Sequence, residues 1–339
     1  MVEKVTSYQV AELAGVSRSA VSRVFTPGAS VSSRTAERVR AAANELGYRP
    51  NVLARAVKAG QSKIVGLVVA YLENQFYPDA VERLSRRLQA EGYHALMFMA
   101  SDQGIETDQV VDELLDYQVD AIILASVSLS DTLTRRCEGA GVPVVLFNRT
   151  QDDPRMSEIT SDNYDGGRRL AEYLVAGGHQ RIGYIAGSPE ASTQRDREQG
   201  FRDGLAAHGQ QIFDRQDGDF DIEQAKQAAR KMFSKHNRPD AVFVANDHMA
   251  FAVMDVLRFE LNLRIPKDVS VVGYDDVALA AWPTYSLTTI RQPSERMAEA
   301  CVQAMLSRVG NTSARPTRVR LQGELIPRGS ARRPKGQKP

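Results

Sequence analysis

Two periodicities divide the chain. Over the first fifty residues apolar positions recur every three to four residues, as on helices with one packed face. Thr6-x-x-Gln9 is a capping-box pattern that opens a helix running through Leu13, and Gly15 is placed to end it. In GVSRSAVSRVF, residues 15–25, Val21, Val24 and Phe25 fall on one helical face, while Arg18, Ser19, Ser22 and Arg23 fall on the other. Ser17 is the expected N-cap, which puts Arg18 and Ser19 at the leading end. A third helix opens at Ser32, carries Val39, Ala42, Ala43 and Leu46 along one stripe, and stops at Gly47. Two helices joined by a tight glycine-containing turn, the second with a polar leading end, form a helix-turn-helix pattern, whose second helix enters the DNA major groove.

From Ile64 onward the pattern becomes short apolar runs separated by helix-length segments. The runs are IVGLVVA (64–70), ALMFM (95–99), AIILA (121–125), PVVLF (143–147), RIGYIA (181–186), AVFVA (241–245) and VSVVGY (269–274). Runs of this kind between amphipathic helices predict parallel sheets covered on both faces. Several end in polar residues: Ser126, Asn148, Asn246 with Asp247, and Asp275 with Asp276. In open α/β sheets the carboxyl ends of the strands form the ligand crevice, so these positions outline a cleft. The competing role is to cap the helices that follow, which Asn and Asp also do well.

Charge sharpens the division. Residues 1–63 carry ten Lys/Arg against four Glu and no Asp, and the tail from Arg328 adds five basic residues, so within a net charge of +1 the stretch between them stands at −10. A basic head on an acidic body points to nucleic acid. The tail, RGSARRPKGQKP (328–339), is expected to be a disordered solubilising end. The chain is 339 residues long with 42% apolar and 25% charged residues, which excludes a disordered protein. Cys137 and Cys301 lack the spacing of a disulfide framework or a metal site and are expected to be buried, and no cofactor or metal is expected. The N-terminus has Glu3 and Lys4 but no apolar signal core, and no apolar run approaches ~18 residues, so a cytoplasmic protein away from membranes is expected. Phosphate-loop, nucleophile-elbow and HExxH patterns are missing from the sequence, which argues against an enzyme.

The head segments VTSYQVAELAGVSRSAVSRVF and VSSRTAERVRAAANELGYRPN closely resemble the LacI/GalR family of bacterial transcriptional regulators. The resemblance continues through TSDNYDGG (160–167), GGHQRIGYIAG (177–187), REQGF (197–201), VAND (244–247), VSVVGYDD (269–276) and LTTIRQP (287–293). It implies an all-α helix-turn-helix DNA-binding domain over 1–49 and a hinge helix and linker over 50–63. An effector-binding and dimerisation core follows over 64–327. That core is α/β, made of two Rossmann-like subdomains resembling periplasmic binding proteins, at about 64–162 with 293–320 and about 163–290 with 321–327. The implied partners are a pseudo-palindromic double-stranded DNA operator, a small carbohydrate-like effector and a second copy in a homodimer. The leucine-repeat extension of tetrameric members is not found, and repression is the commoner mode in the family.

By family correspondence Arg18 and Ser19 read bases, Arg23 adds a base or phosphate contact, and Thr6, Ser17 and Ser22 complete the set. An arginine in the first turn can bond bidentately to guanine O6 and N7; a phosphate contact or a solvated charge is the alternative for Arg18. PNVLARAVKAG (50–60) matches the hinge helix and contributes Asn51, Leu53, Arg55 and Val57. Isolated helices shorter than ~12–15 residues are marginal in water, so folding of this one is expected on DNA with its dimer mate. Val57 stands where leucine is usual, shortening the minor-groove wedge or else packing only on the mate. The effector set implied by the family is Phe76, Ser126, Asn148, Arg197, Phe220, Asn246 and Asp275. Arg195 is a secondary candidate for an anionic effector. Trp282 is assigned to the core or the dimer interface, with the cleft as alternative. Two other readings stay open: control by a protein partner or by no effector, and a sugar-binding protein without a regulatory role.

Overall fold

The computed structural model describes residues 5–26, 28–49, 61–100, 104–311 and 313–334, with only the backbone for 104–107. The chain divides into two compact units at the Lys63–Ile64 junction. In the first, α1 (Ser7–Ala14), α2 (Arg18–Val24) and α3 (Ser33–Leu46) pack Val10, Ala11, Ala14, Val21, Val39, Ala42 and Ala43 into one small core. Each helix starts where the sequence signals it. The Thr6 hydroxyl accepts from Gln9 N–H in a full capping box, Ser17 accepts from Ala20 N–H and Ser32 from Thr35 N–H. Gly15 and Gly47 close α1 and α3 in the left-handed region, at φ 61° and 67°, where a side chain would be strained.

The second unit holds two parallel sheets. The first has the order β11-β5-β4-β3-β1-β2, built from β1 (Ile64–Val69), β2 (His94–Met99), β3 (Ala121–Ala125), β4 (Val144–Phe147), β5 (Ser157–Ser161) and β11 (Arg318–Leu321). The second has the order β7-β6-β8-β9, from β6 (Ile182–Ala186), β7 (Asp214–Asp217), β8 (Ala241–Val244) and β9 (Ser270–Val272). An antiparallel ribbon of β10 (Thr289–Arg291) and β12 (Glu324–Ile326) adjoins β9 through the Val272–Thr288 bridge. The chain passes between the two halves three times: after β5, after β10, and between β11 and β12. Helices α4 (Phe76–Ala90), α5 (Gly104–Asp116), α6 (Asp131–Gly139) and α11 (Ser294–Leu306) cover the first sheet. Helices α7 (Asn163–Ala176), α8 (Ser192–Ala206), α9 (Ile222–Phe233) and α10 (Asp247–Asp255) cover the second.

Close packing of α7 on α8 sets one wall of the cleft. A Cβ at Gly167 would stand 2.1 Å from the Arg197 carbonyl oxygen, and one at Gly200 would stand 1.9 Å from the Tyr164 carbonyl oxygen. Only glycine lets the two backbones approach this far, and the approach fixes the height of Arg197.

The early part of the expected tail is folded. Arg328 donates to the Leu287 carbonyl (2.8 Å) and pairs with Asp276 (2.6 Å). Ser330 and Ala331 are buried, and the Ser330 backbone and hydroxyl bond both polar groups of Val271 in β9. These contacts satisfy an otherwise open sheet edge, so the disorder expected from residue 328 is not found over residues 328–334; residues 335–339 lie outside the described part.

Candidate functional site

Two regions present concentrated polar chemistry, one in each unit. In the head, Val21 is buried and Val24 and Phe25 pack against the core, with Phe25 against Tyr48 at 6.0 Å between ring centroids. The opposite face of α2 is therefore turned outward. Arg18, Ser19 and Arg23 are exposed, and Arg18 makes no hydrogen bond or ion pair among the described residues. Arg23 Nε donates to the Ser19 carbonyl at 3.4 Å, and Ser19 Oγ lies 2.9 Å from Ser17 Oγ. Ser17 and Thr6 are engaged as caps, which still leaves them lone pairs toward solvent. Ser22 is half-buried, and its carbonyl accepts from the Thr26 hydroxyl at 2.8 Å. Asn51, Leu53, Arg55 and Val57 lie outside the described residues.

In the second unit the carboxyl ends of β1, β4, β8 and β9 converge on one small cavity. It is lined by Tyr71, Asn74, Tyr77, Asn148, Arg149, Thr193, Arg197, Phe220, Asn246 and Asp275 and has a volume of about 10 Å³. Its centre is a buried ion pair. Arg197 Nη2 donates to Asp275 Oδ1 at 3.3 Å, Nε donates to Asn163 Oδ1 at 2.8 Å, and Nη1 donates to the Ala245 carbonyl at 2.7 Å. The guanidinium also lies over the Tyr274 ring at 3.7 Å. Asp275 accepts from Gln292 Nε2 (2.8 Å) and Asn74 Nδ2 (3.3 Å) as well. Burial pushes the Asp275 carboxyl upward, and Arg197 pulls against that rise. Behind it Asp247 is pushed up to about 8 by burial and by the Asp275 charge, while its oxygens accept from the Thr289 hydroxyl and Val277 N–H.

Several of these residues hold backbone conformations that favour glycine: Ser126 at φ 69°, Asn148 at 57°, Phe220 at 58° and Asp275 at 125°. Such strain, of order 1–3 kcal/mol each, collects at sites where the surrounding fold imposes a side-chain direction. Asn148 Nδ2 lies 3.4 Å from the Tyr77 hydroxyl, and Asn148 Oδ1 is buried without a hydrogen-bond partner among the described residues.

Of the seven expected effector residues, Asn148, Arg197, Phe220, Asn246 and Asp275 line the cavity. Asn246 does both jobs foreseen for it, capping α10 through Met249 N–H while facing the cleft. Phe76 does not line it. Its ring is buried in the core, stacked on Phe147, and the neighbouring Tyr77 takes the place at the wall. Ser126 stands behind the wall, accepting from Arg149 Nη2 at 2.8 Å. Arg195 is exposed and bonds the carbonyls of Pro189 and Glu190, so it is not the cleft's anion candidate. Trp282 is 58% exposed in this chain, so burial in the core is ruled out, and it does not line the cavity. Tyr71, Asn74, Tyr77, Arg149 and Thr193 went unnoticed in the sequence. Tyr71, Asn74 and Arg149 follow strand ends within a few residues, the signal by which they can be found. Cys137 and Cys301 are buried, as their isolation in the sequence suggested.

Comparison with known proteins agrees with this geometry. Residues 6–51 match the model for bacterial regulatory proteins of the lacI family, and residues 171–331 match the periplasmic binding protein-like domain. The ribose operon repressor of Escherichia coli (strain K12) is 32% identical over 96% of this chain and 99% of its own length. The transcriptional regulator CelR of Thermobifida fusca is 34% identical over 96% and 98%. Among solved structures, the lac repressor dimer bound to operator and the anti-inducer ONPF superposes with a TM-score of 0.87 at 31% identity, covering 97% of this chain and 99% of that one. A CelR–cellobiose complex gives 0.73 at 32% identity, covering 97% and 100%. These relatives are transcriptional regulators rather than enzymes, and no described helix is long and apolar enough to cross a membrane. A capped three-helix head with an outward polar face, joined to a pair of parallel sheets around a strained polar cleft, is the architecture of the LacI family of bacterial regulatory proteins, to which this chain belongs.

Proposed function

We propose that this chain is a cytoplasmic repressor that binds a two-fold symmetric operator as a homodimer and whose operator affinity is set by a small hydroxylated metabolite held in the cleft. The observation that carries the reading is the cleft itself: Asn148, Arg197, Asn246 and Asp275 gather fixed donors and acceptors from both sheets, with Tyr71, Tyr77 and Phe220 as flat apolar walls. That combination suits a polyol ring, which offers hydroxyls at its rim and C–H surface on its faces. A cellobiose complex of one relative and the ribose operon of another favour a carbohydrate-like ligand.

The volume of about 10 Å³ has a mechanical consequence. It accommodates about one water, so a sugar-sized ligand enters only if the two halves part at the three crossings. A ligand that holds the halves at a different opening has differential affinity for two states, which is the requirement for coupling to operator binding. In the head, Arg18 and Ser19 read base edges, Arg23 contacts base or phosphate, and Thr6, Ser17 and Ser22 bind the backbone. Asn51, Leu53, Arg55 and Val57 form the hinge contacts to the minor groove. Exposed Trp282 belongs to the dimer interface.

The test is an operator-release assay on the full chain, using an operator obtained by selection from random DNA and a panel of sugars, polyols, sugar acids and purines. At least one compound should change operator affinity ~5–150-fold and raise the Tm of the wild type. No compound changing operator affinity would sink the effector reading while leaving DNA binding in place.

A further inference from the structure

Arg149 is the least expected residue of the cleft. Two arginines are almost wholly buried among the described residues, Arg149 at 4% and Arg197 at 3% exposure, and they are treated very differently. Arg197 faces the Asp275 carboxylate. Among the described residues Arg149 bonds only neutral acceptors: Thr193 Oγ1 at 2.8 Å, Ser126 Oγ at 2.8 Å and the Asn148 carbonyl at 3.5 Å. It joins no ion pair among the described residues, although the cleft wall includes it. A buried guanidinium without a counter-charge is a costly arrangement that hydroxyl groups offset only in part.

The surroundings add to the same sign. The charged residues of the wall are Arg149, Arg197 and Asp275, which leaves one positive charge uncompensated. Thr193, which holds Arg149 in place, lies in the first turn of the fifteen-residue α8. That turn has no acidic residue, and its N-cap, Ala191, supplies no side-chain cap, so the positive end of the helix is also unanswered. Beside Arg149, the buried Asn148 Oδ1 has no donor among the described residues, which suits a ligand hydroxyl.

Resting on the reading of the cleft as the effector site, we propose that the effector is a hydroxylated metabolite carrying one anionic group, carboxylate or phosphate, and that Arg149 receives that group. Ser126 and Thr193 fix the guanidinium plane, Asn148 takes a hydroxyl, and the aromatic walls hold the carbon skeleton. A neutral sugar would use Arg149 as a donor but leave its charge buried and unpaired.

Matched pairs separate the two. The full chain is titrated by calorimetry and thermal shift with D-glucuronate against D-glucose, D-galacturonate against D-galactose, D-gluconate against D-glucitol, and D-ribose 5-phosphate against D-ribose. At least one anion should bind tenfold or more tighter than its neutral parent, and the responding pair identifies carboxylate or phosphate. Arg149→Gln should erase that preference, and Arg149→Lys, which keeps the charge, should retain most of it. Parents binding as well as their acids, a preference that survives Arg149→Gln, or no anion in the panel binding would overturn the assignment. Operator affinity read in the same titrations keeps the two ideas apart. Release by a neutral parent alone breaks this inference and spares the effector role, whereas an anion that binds without altering operator affinity does the reverse.

Discussion

The outward face of α2 and the cleft of the second unit are both rich in arginine and small polar residues, yet they handle them in opposite ways. On α2, Arg18 is exposed and makes no hydrogen bond or ion pair among the described residues, and Arg23 has a long contact to its own helix. In the cleft, Arg197 makes three hydrogen bonds and stacks on Tyr274, and Asp275 accepts from three side chains. The first arrangement suits a surface ordered by its partner, where side-chain entropy is lost on docking and salt matters strongly. The second suits a site already ordered before the ligand arrives, where altering one group disturbs its neighbours. Damage should therefore register as lost stability and response in the cleft, and as lost DNA affinity alone on α2.

The largest effect belongs to the cleft. Arg197→Ala should destabilise the second unit by about 3–5 kcal/mol in a denaturant titration, because it strands Asp275 among buried groups. Pairing Arg197→Met with Asp275→Leu should recover much of that loss, and an additive double variant would refute a coupled pair. Next comes the DNA face. Arg18→Ala should weaken operator binding by about 1–3 kcal/mol per half-site with the unfolding midpoint unchanged, measured by anisotropy and thermal melting. A shifted midpoint would mean that Arg18 has a structural role.

The pH dependence is smaller per unit of pH. Asp247 is raised to about 8 in the folded chain, so between the unfolded carboxyl value near ~4 and about 8 the native state holds a proton that the unfolded chain has lost. Stability should fall as pH rises through that window, by at most about 1.4 kcal/mol per pH unit for this one group, and Asp275 adds to the same sign. Asp247→Asn should flatten the slope in urea titrations run from pH 5 to 8; an unchanged slope would remove Asp247 as its source. Smallest of all, Ser17→Ala should cost the head about 1 kcal/mol and Ser17→Gly a few tenths, since glycine caps nearly as well. Equal losses for the two would mean that the hydroxyl matters beyond the cap.

The same contrast governs what the sequence disclosed. The head was legible because its information is local: Thr6, Ser17 and Ser32 cap, Gly15 and Gly47 stop, and one apolar stripe packs. The seven apolar runs became strands for the same reason. The strands that escaped notice are polar or short. The β5 strand SEITS is buried throughout, with Ser157 accepting from Thr317 N–H and Ser161 bonded to the Tyr274 hydroxyl, both far along the chain, and β7, DRQD, lies at a sheet edge. In the cleft, the polar strand ends Asn148, Asn246 and Asp275 were recognisable. Two things were not: that Phe76 turns into the core while Tyr77 faces the site, and that Arg149 is buried without a counter-charge. Both depend on tertiary packing, to which periodicity is blind.

If α2 carries a sequence-reading surface serving two symmetric half-sites, selection from random duplex DNA by the full chain will reveal it. A two-fold symmetric site with a guanine in each half should be enriched, and in the Arg18→Ala variant that guanine alone should lose its preference while the remaining positions persist. Enrichment of no symmetric site, or an unchanged guanine in the variant, would contradict it.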